Sequence, residues 1–317
     1  MFDEAEVRSR DHEAFRADVL QSLSGIQKTL PCRWLYDSRG SELFEAITRL
    51  PEYYPTRAET AILRQHAADI AGFVGRNATL LEYGAGSAIK TELVLDALDE
   101  PRAYVPIDIA GEFLALTAAR LGKRFPSLRI WPIVADFMGD LALPAALRRG
   151  RRVGFFPGST IGNLGAEEAT QFLARMRRHV GAHGAAIVGV DLKKDQRTLL
   201  AAYDDQQGVT AAFNSNLLVR INRELGGDFD LKSFAHAARW NESESAVEMH
   251  LVSLAPQTVT VAKRRFAFFA RETIHTESSR KYDRPMFEAL ASDGGWLVRK
   301  CWTDEGERFA VFGLEPA

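Results

Sequence analysis

The sequence predicts an α/β fold with a mainly parallel sheet, accompanied by a second α+β unit. Short apolar runs alternate with helical patterns between residues 58 and 193, which is typical of parallel strands joined by helices. After Asp191 this alternation stops, and residues 246–270 are typical of antiparallel strands. We therefore expect two domains, one made of 58–193 plus 282–317 and the other of 1–57 plus 194–281.

The first segments of the chain are expected to be mostly helical. Apolar residues at helical spacing predict a helix over about residues 1–30, which Pro31 would end. A second helix is expected at 41–49, before a Leu-Pro step. Residues 52–57 contain two tyrosines and a proline and are expected to form an ordered loop, followed by a helix over about 57–73.

Short buried strands are expected to build the sheet domain. The strands are predicted at 79–83, 103–108, 128–134, 152–156 and 185–190. Between them we expect one helix that follows the first strand and ends near residue 98, and two more over about 111–125 and 166–180. Further along, a helix is expected over 196–225, with antiparallel strands at 246–255 and 257–269. The last two apolar runs, 296–302 and 309–314, flank a Thr-Asp-Glu-Gly-Glu turn, which predicts a hairpin that closes the sheet.

Composition and charge narrow the possible function classes. The chain has 317 residues, of which 46% are hydrophobic and 26% charged, as in ordinary globular proteins. The net charge of -2 gives no electrostatic reason to expect nucleic-acid binding. No apolar run reaches the roughly 18 residues that a membrane-spanning helix needs. The N-terminus is charged, unlike a signal peptide, and Cys32 and Cys301 lie far apart. We therefore expect a cytoplasmic protein with two thiols and no metal site. The His179 and His183 pair is expected at a solvated helix end.

Chemically distinctive residues follow the expected strands. Gly84 and Gly86 lie just after the first strand, Asp108 ends the second, and Asp136 with Phe137 closes the third. Because ligands of open α/β sheets bind at the carboxyl ends of the strands, we expect these residues to share one site.

The spacing of these residues favours an adenosine ligand without phosphates. Ile89 occupies the position of the third glycine in the dinucleotide fingerprint, which argues against NAD and FAD, and no phosphate-binding loop sequence occurs. Asp108 can accept from the ribose hydroxyls, while Asp136 can accept from the adenine amino group and Phe137 can stack on the base. S-adenosylmethionine fits this description. Lys90 either reaches its carboxylate or is a solvated lysine.

Five longer motifs resemble those of a known family. In chain order they are WLYDSRGSELFEAITRLPEYYPTRAE at 34–59, LLEYGAGSAIKT at 80–91, FFPGSTIGNL at 155–164, AYDDQQGVTAAFN at 202–214 and TESSRKY at 276–282. With them the chain resembles the L-histidine Nα-methyltransferases of ergothioneine biosynthesis, from about residue 20 to the C-terminus. This resemblance implies a Rossmann-like class I methyltransferase sheet with a second α+β substrate-binding lobe.

The resemblance also implies an activity and roles for individual residues. The activity is the transfer of three methyl groups from S-adenosylmethionine to the histidine α-amine, giving hercynine, the first step of ergothioneine biosynthesis. The implied substrate residues are Tyr53, Asn163 and Tyr203 for the amino and carboxylate groups, Glu277 and Ser279 for the imidazole, and Met249 in the pocket wall. The implied cofactor residues are Gly84, Lys90, Asp108, Asp136 and Phe137, with Gly86 of the same turn, and with Tyr36 and Phe44 near the methyl donor. Tyr36 and Tyr53 are expected to be catalytic.

Several alternatives remain open at this point. Asn163 could instead cap the helix expected from Ala166. Ser278 and Arg280 depart from the family pattern, although in an extended segment they would face away from Glu277 and Ser279. The same fold could methylate a different amino acid or amine, or the chain could be a non-catalytic adenosyl-binding module. We expect a monomer acting on a small molecule, with no nucleic acid or membrane partner.

Overall fold

The computed structural model describes residues 4–86, 88–139 and 141–317, with side chains from residue 12 onward. The described chain divides into two compact units. The smaller unit consists of Met1–Tyr53 and Asp195–Ser278, and the larger unit of Tyr54–Lys194 and Ser279–Ala317.

The regular elements are numbered in chain order across both units. The helices are α1 (Glu4–Ser22), α2 (Ser38–Ile47), α3 (Tyr54–Gln65), α4 (Ala67–Val74), α5 (Ile89–Ala97), α6 (Gly111–Arg124), α7 (Ala166–Val180), α8 (Gln196–Ala201), α9 (Val209–Leu225) and α10 (Arg284–Asp293). The strands are β1 (Lys28–Thr29), β2 (Thr79–Tyr83), β3 (Ala103–Asp108), β4 (Arg129–Ile130), β5 (Ile133–Val134), β6 (Arg152–Phe156), β7 (Ala185–Asp191), β8 (Phe234–Asn241), β9 (Ala246–Ser253), β10 (Gln257–Val261), β11 (Arg264–Phe268), β12 (Thr273–Arg280), β13 (Trp296–Thr303) and β14 (Phe309–Pro316).

The larger unit is built on one sheet with the strand order β13-β14-β7-β6-β2-β3-β4, and β5 also pairs with β3. β2, β3, β4, β5, β6 and β7 pair in parallel, whereas β14 is antiparallel to both β7 and β13. The expected closing hairpin is therefore confirmed. Tyr83 pairs with Ile107, so β2 and β3 end side by side and bring Gly84 next to Asp108.

Aromatic residues fill the core between this sheet and α7. The ring of Phe172 lies 4.5 Å from that of Phe156 and 5.4 Å from that of Tyr83, and all three residues are fully buried. Burying such side chains contributes roughly 1.5–3 kcal/mol each, which anchors the helix to the sheet. The Tyr83 hydroxyl lies 3.0 Å from Nδ1 of His179. The expectation of a solvated His179 was wrong, because this helix end packs on the sheet; His183 is exposed.

The smaller unit combines helices with a sheet of the order β1-β12-β9-β8. β8 and β9 form an antiparallel pair, β1 pairs in parallel with β12, and β10 with β11 forms a separate antiparallel hairpin. α9 packs against α2 and β8. β12 continues to Arg280 and so runs beyond Ser278, the last residue of this unit.

Breaks in the chain explain where the sequence-based boundaries were wrong. The first helix ends at Ser22 rather than Leu30, and residues 28–29 pair as a strand. The loop expected at 52–57 is helical from Tyr54, since a proline is tolerated in the first turn of a helix. The helix expected over 57–73 is interrupted at His66.

Three further differences lie downstream. The strand expected at 128–134 is split, because Pro132 has no N–H to donate to a ladder. The helix expected over 196–225 is two helices, with the second held by Asp205, which accepts from the N–H groups of Val209 and Thr210 at 3.0 and 2.7 Å. The run expected as one strand at 257–269 is the β10–β11 hairpin. In the described part of the chain, no helix is long and apolar enough to cross a membrane.

Candidate active site

The glycine turn of the larger unit is fixed to the end of β3. Gly84 and Gly86 have φ angles of +72° and +48°, a region that glycine occupies without strain. The Gly86 N–H donates to Oδ2 of Asp108 at 3.0 Å, and the Ala110 N–H donates to Oδ1 at 2.9 Å. Each carboxylate oxygen has a second lone pair, so Asp108 retains the capacity to accept hydroxyl groups from a ligand.

Phe137 lies next to this turn. A side chain at Gly84 would start 3.7 Å from the Phe137 ring, which itself packs 5.5 Å from Phe156 and is half-buried. Asp136, the preceding residue, accepts from the Met138 N–H at 2.8 Å. The structure therefore brings together the predicted residues at the ends of β2, β3 and β5. Together they offer a ring face and two carboxylates beside an open backbone turn, which fits an adenosine.

Lys90 is neither solvated nor isolated. Its ammonium lies 2.5 Å from Oε2 of Glu59, a fully buried carboxylate on α3 that also accepts from the Gly158 N–H at 2.9 Å. Gly189 leaves the space for this carboxylate, because a Cβ there would lie 2.0 Å from it. The Lys90 side chain keeps 21% of its surface exposed and so can still approach a ligand carboxylate. Glu59 was not predicted as a site residue, because it lies 31 residues from Lys90 in the sequence.

Asn163 ends a short 3-10 turn after β6. The N-cap of α7 is Gly165, so Asn163 does not cap that helix, and its half-buried side chain makes no hydrogen bond within the described residues. The turn packs against the end of β12, where Arg280 donates to the Leu164 carbonyl at 3.1 Å.

A cluster of polar side chains in the larger unit surrounds Asp191, at the end of β7. This buried carboxylate accepts from the Tyr54 hydroxyl at 2.8 Å and from the ammonium groups of Lys194 and Lys281 at 2.7 and 2.8 Å. Burial lowers the pKa of Lys194 to about 8. Ser279 accepts a hydrogen bond from Lys281 at 2.9 Å. Of these residues, only Ser279 was predicted as a site residue. Two features of the sequence could have indicated the others: Asp191 directly follows an apolar strand, and Lys281 lies two residues after Ser279.

The smaller unit contains a small cavity that is partly open to solvent. Four predicted substrate residues lie around it, namely Tyr53, Tyr203, Met249 and Glu277, together with Phe44. The remaining lining residues were not predicted; they are Ile47, Ala202, Thr210 and Phe213. Ala202, Thr210 and Phe213 lie in the AYDDQQGVTAAFN motif, so their membership of this motif could have indicated that they line the cavity.

Aromatic rings dominate the cavity wall. The ring of Phe44 lies 6.2 Å from that of Tyr53 and 5.9 Å from that of Phe213, and Tyr53 lies 6.3 Å from Tyr203. Tyr36 joins the group, with its ring 5.5 Å from Phe44. Ring faces attract cations, so this wall suits a positively charged ligand.

Glu277 gives the cavity an acidic group. Its side chain is 7% exposed, and β12 holds it in the wall. Burial, aided by the nearby Glu277 carboxylate, raises the pKa of Tyr36 well above its usual value. Tyr36 therefore stays a neutral phenol at physiological pH.

Hydrogen bonds behind the cavity fix the Tyr203 segment. His236 lies between the Asn214 amide, 2.9 Å from Nδ1, and the Tyr203 carbonyl, 2.8 Å from Nε2. The Tyr203 carbonyl can only accept, so Nε2 donates to it, while the Asn214 amide group donates to Nδ1. Among the described residues, no group of three or more His, Cys, Asp or Glu side chains could hold a metal ion.

Comparison with known proteins gives the family. A family model described as "Histidine-specific methyltransferase, SAM-dependent" matches residues 15–316. The chain belongs to this family. It is thus a methyltransferase that uses S-adenosylmethionine, and its larger unit is a Rossmann-like class I methyltransferase sheet, accompanied by a second α+β unit.

Two bacterial relatives are similar over almost their whole length. The histidine N-alpha-methyltransferase of Mycobacterium tuberculosis is 42% identical over 95% of this chain and 94% of its own, and that of Mycolicibacterium smegmatis 40% over 94% of each. Ergothioneine biosynthesis protein 1 of Neurospora crassa is 29% identical over 87% of this chain and 32% of its own. Among solved structures, the CcbJ methyltransferase of Streptomyces caelestis matches 81% of this chain and 96% of its own, at 13% identity and a TM-score of 0.49.

Proposed function

We propose that this protein transfers three methyl groups in succession from S-adenosylmethionine to the α-amino group of L-histidine, yielding hercynine for ergothioneine biosynthesis. The observation that carries the proposal is the small aromatic cavity with one buried carboxylate, Glu277, in a chain 40–42% identical to two histidine N-alpha-methyltransferases. A carboxylate suits an imidazole N–H, and an apolar amino acid would leave it buried without that hydrogen bond.

We assign the donor site to the larger unit. Asp108 would accept from the ribose hydroxyls, Asp136 would accept from the adenine amino group, and Phe137 would stack on the base. Lys90 would approach the carboxylate of the methionine part while Glu59 holds its position, and the Gly84 and Gly86 turn leaves room for the ligand to approach the backbone. When bound, S-adenosylmethionine supplies a methyl group on a sulfonium.

We assign the acceptor site to Tyr53, Asn163 and Tyr203 for the amino and carboxylate groups, with Glu277 and Ser279 at the imidazole and Met249 in the wall. Methyl transfer needs an amine lone pair aligned with the donor, so orientation and exclusion of water are the main tasks of the protein. The aromatic wall of Tyr53, Phe44 and Phe213 favours an amine that becomes a permanent cation.

We assign a catalytic role to Tyr36 and Tyr53, as the family resemblance implies, and propose that they orient the amine. Because the pKa of Tyr36 is raised, its hydroxyl donates a hydrogen bond and does not remove the amine proton in its resting state. The proton then leaves through water. We further propose that the protein acts as a monomer in the cytoplasm, where thiols such as those of Cys32 and Cys301 stay reduced.

Release of S-adenosylhomocysteine from a panel of amino acids tests the proposal. Histidine should give turnover well above phenylalanine, leucine and tryptophan at equal concentration. Tryptophan belongs in the panel because a 4-dimethylallyltryptophan N-methyltransferase of Claviceps purpurea is also 25% identical to this chain. Preference for any amino acid over histidine would replace the proposal with the alternative of a different amine substrate.

A further inference from the structure

His236 is a buried side chain of the smaller unit that the proposed function does not use. It lies on β8, and only 3% of its side chain is exposed. Both ring nitrogens make hydrogen bonds, since Nε2 lies 2.8 Å from the Tyr203 carbonyl and Nδ1 lies 2.9 Å from the Asn214 amide nitrogen. One imidazole thus joins the turn after α8 to α9.

Two carbonyl groups fix the direction of these hydrogen bonds. The His250 carbonyl on β9 can only accept, so the Asn214 atom that lies 3.1 Å from it is the amide NH2. The same NH2 donates to Nδ1 of His236, and Nε2 is then the N–H that donates to the Tyr203 carbonyl. The Asp204 carboxylate lies 4.0 Å from Nε2, beyond the usual hydrogen-bond distance of about 2.7–3.2 Å. The N–H of His236 is therefore directed at the Tyr203 backbone.

This chain of hydrogen bonds lies directly behind the cavity wall. Tyr203 itself lines the cavity, while Asn214 and His250 each follow a lining residue in the sequence, namely Phe213 and Met249. The chain therefore ties together three segments of the wall, which come from the turn after α8, from α9 and from β9.

We propose that His236 is a positioning residue that holds Tyr203 where its hydroxyl meets the amino-acid substrate. Only the two side-chain torsions of tyrosine separate the held backbone from the ring, which packs 6.3 Å from the ring of Tyr53. Because a displacement of about 1 Å in a positioned group can cost roughly 100-fold in rate, a fixed Tyr203 backbone contributes to turnover. This inference rests on the proposed function, which assigns Tyr203 to the amino and carboxylate groups of histidine.

Two substitutions separate the two hydrogen bonds of His236. In His236→Gln the amide NH2 can take the place of Nε2 and still donate to the Tyr203 carbonyl. In His236→Asn the shorter side chain can accept from Asn214 at the position of Nδ1, but it no longer reaches Tyr203.

The test measures kcat/KM for histidine with the full-length protein and saturating S-adenosylmethionine. In His236→Gln it should stay within about threefold of the wild-type value, and in His236→Asn it should fall about tenfold, which corresponds to about 1.4 kcal/mol. The Kd for S-adenosylhomocysteine should not change in either variant, because the residues assigned to the donor lie in the larger unit.

A second background distinguishes positioning from general stabilisation. Tyr203→Phe has no hydroxyl left to position. In that background His236→Asn should lower kcat/KM by less than about threefold, the scale of a difference below 1 kcal/mol.

α9 offers a matched pair of asparagines as a further control. Asn222 bonds to the backbone of Phe229 at 2.8 and 2.9 Å, and neither of these residues lines the cavity. Asn214→Ala, which removes the donor to His236, should lower kcat/KM by more than about threefold, whereas Asn222→Ala should not.

Any of three results would overturn the inference. They are a kcat/KM in His236→Asn that equals that of His236→Gln, a loss of the same size in the Tyr203→Phe background, and equal losses in Asn214→Ala and Asn222→Ala. Thermal unfolding of each variant shows whether it is folded at the assay temperature, and the asparagine pair tests the same chain if His236→Asn is not. Failure of the proposed function has a different signature, because the wild-type protein would then not methylate histidine itself.

Discussion

Asp108→Asn tests the donor site at a single atom. In the structure Oδ2 of Asp108 accepts from the Gly86 N–H at 3.0 Å, while Oδ1 accepts from the Ala110 N–H at 2.9 Å. Asparagine keeps one oxygen for Ala110 but places an amide NH2 opposite the Gly86 N–H. The variant therefore loses a charge-assisted bond that holds the turn and one acceptor for a ribose hydroxyl.

The expected loss follows from the size of such bonds. A hydrogen bond to a charged group contributes about 1.5–3 kcal/mol, so the Kd for S-adenosylhomocysteine should rise by roughly 10- to 150-fold. Isothermal titration calorimetry with S-adenosylhomocysteine measures this without turnover. Asp69→Asn is a suitable control, because Asp69 is an exposed acid of the same unit, bound to Lys300 at 3.0 Å and to the Trp302 indole at 2.8 Å.

The control should leave the Kd unchanged. A change of less than about threefold in Asp108→Asn, with an unaltered melting temperature, would correspond to less than 1 kcal/mol and would refute the assignment of Asp108 to the ribose.

Three further predictions concern specificity and pH. Glu277→Ala should lower kcat/KM for histidine at least about tenfold, about 1.4 kcal/mol, while affecting phenylalanine far less; a histidine-to-phenylalanine ratio that does not fall would remove Glu277 from imidazole recognition. Burial and the nearby Arg178 and Arg175 lower the pKa of His179 to about 4. Its contribution to stability should thus be present above pH 6.5 and be lost as the pH falls toward 4, and thermal unfolding of His179→Gln should show a flatter acid limb than wild type. Burial raises the pKa of Glu82 to about 8. The contribution of Glu82 to folding stability should therefore be present below pH 4.5 and be lost as the pH rises through 8. If the melting temperature of Glu82→Gln declined over this range as much as that of the wild type, this prediction would be contradicted.

The sheet could be predicted from the sequence because its strands are short, buried and bounded by turn residues. β3 and α7 have the predicted bounds, and the parallel order follows from the alternation of strands and helices. β8 could not be predicted in this way. Its residues, FAHAARWN, are mostly half-buried and show no clean alternation, so tertiary pairing with β9 decides its conformation.

The site was predictable where it depended on local motifs. Gly84, Gly86 and Asp108 could be placed together because the strands carrying them are neighbours with their carboxyl ends level. Glu59 and Asp191 could not, because each acts through a contact distant in sequence: Glu59 with Lys90, and Asp191 with Tyr54 and Lys281. A single buried carboxylate has no sequence pattern of its own, and only packing reveals its partners.

Mass spectrometry of histidine incubated with the protein and methyl-deuterated S-adenosylmethionine tests trimethylation of the histidine α-amine most directly. We expect one, two and then three labelled methyl groups to accumulate on the substrate, with fragmentation placing all three on the α-nitrogen. Label on an imidazole nitrogen, or no label on histidine while another amine is methylated, would contradict it.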